Sequence, residues 1–89
     1  MNIQKLQASV PEIKTFDFNQ AELVEIMVKP YTFIRDNMLF ISAEEGDGAA
    51  DYYGRDGLPW INPILDAWAE KKGGYLEWEN PACLVFIKN

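Results

Sequence analysis

Residues 31–42 read YTFIRDNMLFIS, two strand-forming runs on either side of Asp36-Asn37. β-Branched and aromatic side chains suit the half-buried surface of a pleated strand. Asp and Asn tolerate the positive φ that a two-residue type I′ turn requires. The spacing therefore predicts a hairpin that sets Arg35 opposite Met38, Phe33 opposite Phe40 and Tyr31 opposite Ser42. Alternation then puts Tyr31, Phe33, Met38 and Phe40 on one face and Thr32, Ile34, Leu39 and Ile41 on the other. Both faces are apolar, so the sheet needs a cover on each side. A helical layer supplies one. The N-terminal arm, the long loop after the hairpin or a second chain supplies the other.

Downstream of the hairpin, residues 44–61, EEGDGAADYYGRDGLPWI, show no sustained period and form a long connection. Loops beyond ~12–15 residues are uncommon in compact domains and are often functional. Asn62 as N-cap and Pro63 at the first helical position start a helix. In it Ile64 or Leu65 and Trp68 face the core, and Lys71 and Lys72 suit the negative end of the dipole. Gly73-Gly74 ends it. YLEWE at 75–79 alternates, with Leu76 and Trp78 inward, Asn80-Pro81 turns the chain, and CLVFI at 83–87 reads as an inner strand.

Upstream, IKTFDF at 13–18 suggests a short strand with Phe16 and Phe18 facing one way. Asn19 and Glu22 then resemble a capping box, with Phe18 and Leu23 placed for a hydrophobic staple. Leu23, Ile26 and Met27 fall on one helical face, so a first helix is expected from Asn19 until Pro30 stops it. Residues 1–12 admit two readings, a short turn boxed by Ser9 and Glu12 around Pro11, or an arm that docks on the core. Residues 1–89 thus make a single α+β domain. Its antiparallel sheet of four to five strands packs on two short helices, in the order β-α-β-β-α-β-β.

An apolar fraction of 48% supports a packed core, although 89 residues bury only roughly 60–65% of the unfolded surface. Fourteen acidic residues face eight basic ones, for a net charge of −6. Nucleic-acid backbones and anionic membranes are bound by neutralising charge, so no nucleic-acid or membrane partner is expected. Such a balance suits solubility or a basic protein partner. A single cysteine, Cys83, precludes an internal disulfide. MNIQKLQASV has no apolar signal core, and no apolar run approaches the ~18 residues of a membrane span. A cytoplasmic location is the expectation.

The chain contains no histidine. Ser-His-Asp and Cys-His catalysis within one chain is thereby excluded, as is a four-ligand Cys/His zinc site. Cys83 sits in an inner-strand segment and reads as a small hydrophobe rather than a nucleophile. Glu44, Glu45, Asp47, Asp51 and Asp56 offer oxygens to a hard cation, but an EF-hand count from Glu45 meets Ala49 and Ala50 at its fifth and sixth places. The glycines at 46, 48, 54 and 57 lack the Gly-Lys-Ser/Thr of a phosphate loop. Pairs of carboxylates can hydrolyse glycosides, yet any acidic chain offers such pairs. No catalytic residue, metal or cofactor is expected.

DYYGRDGLPW at 51–60 concentrates the residue types that dominate binding hot spots, with glycines that permit unusual backbone shapes. Asp51, Tyr52, Tyr53, Arg55 and Trp60 are the candidate binding residues. As a recognition loop they contact a protein partner. Alternatively, Tyr52, Tyr53 and Trp60 fold back as a lid over the second sheet face. A third reading places a small-molecule pocket, that of a binder or minor enzyme, between the 44–61 loop and the sheet. The doubly apolar 31–42 hairpin also suits a homodimer. Tyr75, Glu77 and Glu79 make an acidic, aromatic strand face, either a solvated edge or a mimic of phosphates.

The segments FDFNQAEL, FIRDNMLFISAE and NPILDAWAEKKGGYLEWE, in that order over residues 16–79, resemble an uncharacterised bacterial domain family found among plasmid- and phage-associated genes. The chain departs from it in carrying Tyr75-Leu76 where acidic residues follow the glycines, and in lacking a strand-like stretch within 47–57. The family has no established activity, so the resemblance implies an accessory protein of unknown function and carries over no catalytic residue.

Overall fold

The computed structural model describes residues 2–19, 22–44, 48–54 and 57–89. It is α+β, with antiparallel sheets and two short helices. Helix α1 (Ile3–Ala8) comes first, followed by strands β1 (Ile13–Asn19), β2 (Glu22–Val28), β3 (Thr32–Arg35) and β4 (Met38–Ser42). Two-residue strands β5 (Ala50–Asp51) and β6 (Trp60–Ile61) lead to helix α2 (Pro63–Lys71). Strands β7 (Gly74–Asn80) and β8 (Cys83–Lys88) close the chain.

The main sheet has the order β3-β4-β8-β7. Asp36 and Asn37 take φ of 53° and 59°, as a type I′ turn demands, and the pairing sets Phe33 against Phe40 and Arg35 against Met38. The turn therefore fixes the expected register, and the Ser42 amide donates to the Tyr31 carbonyl at its far end. β8 lies inside the sheet between β4 and β7. Pairing of Ile41 with Leu84 and of Trp78 with Leu84 aligns one continuous apolar face. On it Leu39, Ile41 and Leu84 are fully buried.

Both helices lie on this inner face. Leu65, Trp68 and Ala69 of α2 and Leu6 of α1 join the same core, with Val10 and Ile13 beside them. The helices are also tied by hydrogen bonds, since Trp68 Nε1 donates to Ser9 Oγ (3.0 Å) while that hydroxyl donates to the Leu6 carbonyl (2.7 Å). Burying an indole N–H without an acceptor would cost about 1–3 kcal/mol, which makes the Ser9 contact structurally important. Residues 2–12 are thus a docked arm. The capping box of Ser9 and Glu12 does not form. The helix lies upstream of Pro11 and is capped by Asn2, whose Oδ1 accepts from the Gln4 and Lys5 amides, and Ser9 is its C-cap.

The helix expected from Asn19 to Pro30 is a strand instead, so the order of elements is one helix, six strands, one helix and two strands. β2 pairs antiparallel with β1 from Ile13 opposite Val28 to Asn19 opposite Glu22. β-Branched Val24, Ile26 and Val28 recur every second residue, a pattern suited to a strand and poorly suited to a helix. Pairing with the adjacent β1 then outweighs the capping signal. The hairpin is rooted in the core by Ile13 and Val28, whereas Leu23, Val24 and Met27 are exposed. An exposed Lys14–Glu25 ion pair (2.7 Å) lies across it and adds little stability in water.

The two glycines after α2 serve different ends. Gly73 has φ +82° with open space around its α-carbon, so it supplies a left-handed helix exit. A side chain at Gly74 would run into the Ile87 carbonyl and the Phe86 ring. Gly73→Asn should therefore cost less than about 1 kcal/mol, because Asn tolerates that conformation. Gly74→Ala should cost about 1–3 kcal/mol from overpacking. Urea unfolding of the two variants checks this, and equal losses would refute the packing role of Gly74.

Candidate functional site

The described residues of the 44–61 segment include a short strand ladder. Ala50 pairs with Ile61 and Asp51 with Trp60, a two-residue ladder that sequence periodicity is too short to signal. Asn62 fastens the base of this ladder to α2. Its Oδ1 accepts from the Ile64 amide (2.9 Å) as an N-cap. Its Nδ2 donates to the Gly48 carbonyl (3.1 Å), and its amide donates to the Ala49 carbonyl (2.9 Å). Asn62 is itself buried, and Ala49 and Leu65 on either side of the junction are fully buried. One side chain thus starts the helix and holds the returning loop.

Beyond this root the loop bends sharply. Asp51 Oδ1 accepts from the Tyr53 amide (3.0 Å), which closes an Asx turn. Gly54 has φ +36°, and a β-carbon there would strike the Leu58 carbonyl. The chain from Tyr52 to Trp60 therefore depends on glycine at this close approach.

Of the five candidate binding residues, the structure describes four, and Arg55 lies outside the described residues. Asp51 and Trp60 face each other across the ladder and line one cleft. Tyr52 turns elsewhere, meeting the half-buried Trp78 edge to face at 5.2 Å and Tyr53 at 5.4 Å. Tyr53 is 72% exposed and Trp60 43% exposed. Leu58, 69% exposed and also in the cleft lining, is a member that the hot-spot reading of residue types missed. Its only sequence signal is an isolated apolar residue between Gly57 and Pro59.

The cleft has a volume of about 740 Å³ and opens between the end of β4 and the loop. Ala43, Glu44, Asp51, Leu58, Pro59 and Trp60 are among the residues that line it. Neither Glu44 nor Asp51 makes an ion pair among the described residues. The same residues contain no group of three His, Cys, Asp or Glu side chains placed to hold a metal. Glu45, Asp47 and Asp56 of the acidic cluster lie outside them.

Tyr52 does not fold over the second sheet face. Trp78, on which Tyr52 rests, shares the inner face with Leu76 and Leu84, so the aromatics close one end of the helix-covered core. The outer face of the sheet carries a separate cluster of Phe40, Cys83 and Val85, flanked by Phe33 and Ile87 from the same face. Cys83 is buried there, and desolvation pushes its thiol pKa up, with a contribution from nearby Glu79. A thiol held protonated is a poor nucleophile.

The chain matches no protein-family model, no curated protein and no solved structure. No helix among the described residues is long and apolar enough to cross a membrane.

Asn62→Ala removes a helix cap and releases the loop root together. It should cost about 1–2 kcal/mol in urea unfolding. Amide exchange should rise both at Ile64 and at the described loop residues 48–52. Faster exchange at the helix start alone would show that Asn62 does not hold the loop.

Proposed function

We propose that this chain is a small, non-catalytic interaction protein that binds a protein partner through its 51–60 loop. The observation that carries the reading is the exposure of Tyr53, Leu58 and Trp60 on a segment fastened at its root by the β5–β6 ladder and Asn62. Large apolar side chains held in solvent on a constrained backbone lose little conformational entropy on binding. The net charge of −6 favours a basic partner over nucleic acid or an anionic membrane. Absence of histidine and the raised pKa of Cys83 favour binding over catalysis.

Affinity capture from the native host, followed by measurement of Kd for the captured protein, tests this reading. Tyr53→Ala with Trp60→Ala should weaken binding by roughly 2 kcal/mol or more, about thirtyfold, while the melting temperature stays close to wild type. Unchanged Kd in the folded double variant would remove the loop from the interface.

A second reading rests on the cleft. Its volume of about 740 Å³ falls within the roughly 300–1,000 Å³ of small-molecule sites. Here Asp51, Glu44 and Trp60 supply the polar and aromatic contacts to a small ligand. A ligand selective for the native state must raise the melting temperature, and Asp51→Ala should abolish that rise. No shift with nucleotides, sugars, amino acids or divalent ions would retire this reading.

A further inference from the structure

The cleft beside the 51–60 loop brings together the two kinds of side chain that hold an organic cation. Asp51 and Trp60 stand opposite each other in the β5–β6 ladder, and both line the cleft. Opposite residues of an antiparallel pair put their side chains on one face, with β-carbons roughly 4.5–5.5 Å apart. A carboxylate is thereby set beside an exposed indole. Glu44, just beyond β4, adds a second carboxylate to the same lining.

Neither acid makes an ion pair among the described residues, and the described lining includes no Lys or Arg. Asp51 Oδ1 accepts from the Tyr53 amide (3.0 Å), which orients the carboxylate. A carboxylate offers about four acceptor sites, so most remain for an incoming donor. A guanidinium answers this arrangement well. It pairs with a carboxylate through a planar fork of N–H donors and stacks on an aromatic face. Its aliphatic stem has the exposed Leu58 to lie against. A bare divalent ion is a poorer match. Calcium takes roughly six to eight oxygens, and no group of three His, Cys, Asp or Glu side chains converges among the described residues.

We propose that the cleft receives an arginine side chain of the protein partner. This inference rests on the reading of the 51–60 loop as the partner-binding segment, and it names the group that the partner inserts. The cleft is continuous with that surface, because Asp51, Leu58 and Trp60 belong to both. A partner seated on the loop therefore covers the cleft. The net charge of −6 draws a basic segment towards it.

NMR titration of the isotope-labelled chain with the blocked peptide acetyl-Gly-Arg-Gly-amide tests the site without the partner. Shifts should concentrate at the Trp60 indole N–H and the Asp51 and Leu58 amides, leave the Trp68 indole in place, and weaken as salt rises. The same peptide with citrulline, a neutral isostere of arginine, should bind about fivefold more weakly or worse. Asp51→Asn keeps an oxygen for the Asx turn, and Glu44→Gln keeps the side-chain size. Each should raise the peptide's Kd about threefold or more. Glu77→Gln removes the same charge on β7, outside the cleft lining, and should leave that Kd unchanged. Absence of shifts at Trp60 overturns the proposal. So does equal binding of the citrulline peptide, or wild-type binding by both cleft variants. Methylguanidinium binding as tightly as the peptide overturns it too, since a small free cation would then suffice. A captured partner whose Kd depends on Tyr53 and Trp60 but ignores Asp51→Asn and Glu44→Gln would keep the loop reading and remove this one.

Discussion

Leu39, Ile41 and Leu84 lie side by side on β4 and β8 with no exposure to solvent, and the remaining elements are placed by the need to keep water from them. Each such side chain contributes about 1.5–3 kcal/mol when fully buried. A two-strand hairpin could not shield them alone. β8 must therefore enter beside β4, and both helices must lie across the same face. Trp68 spans the gap between the helices, and its indole N–H finds Ser9, so the N-terminal arm becomes part of the roof. Both helices are committed to that side, and no third helix occurs among the described residues.

The parts of the fold legible in the sequence are those whose signal is local. Asp36-Asn37 dictates a type I′ turn, and the turn alone sets every pairing in the 31–42 hairpin. Asn62-Pro63 and Gly73-Gly74 bracket α2 because cap chemistry is decided within a few residues. The stretch after Asn19 was misleading for the same reason. Its capping pattern is genuine local chemistry, but Asn and Glu at that spacing do not by themselves commit the chain to a helix. The alternation of Val24, Ile26 and Val28 was the more informative signal, since β-branched residues at every second place fit β2 directly. For the N-terminal helix, Pro11 drew attention away from Asn2, although a proline beyond the helix end does not disturb it.

The candidate site was legible in composition and not in shape. Tyr52, Tyr53 and Trp60 could be named from their types, yet nothing in a loop without a period says which of them turn inward. That choice rests on long-range contacts. Tyr52 settles on Trp78, which is brought there by the β7–β8 pairing, and Asp51 and Trp60 become neighbours through a ladder of only two residues. The link from Asn62 to Gly48 spans fourteen positions and leaves no trace in local pattern. Leu58 shows the same limit from the other side, since an isolated leucine in a loop predicts burial more readily than exposure.

The chain has no histidine, and burial raises the pKa of its thiol. Among the described residues Glu44 and Asp51 make no ion pair, and exposed aromatic side chains stand near them. Keeping Tyr53 and Trp60 in water forgoes burial that a small protein could use, and the glycine at 54 and the buried Asn62 both act to maintain that exposed arrangement. Asn62 roots the described part of the segment, and Tyr53 and Trp60 on it stay in solvent.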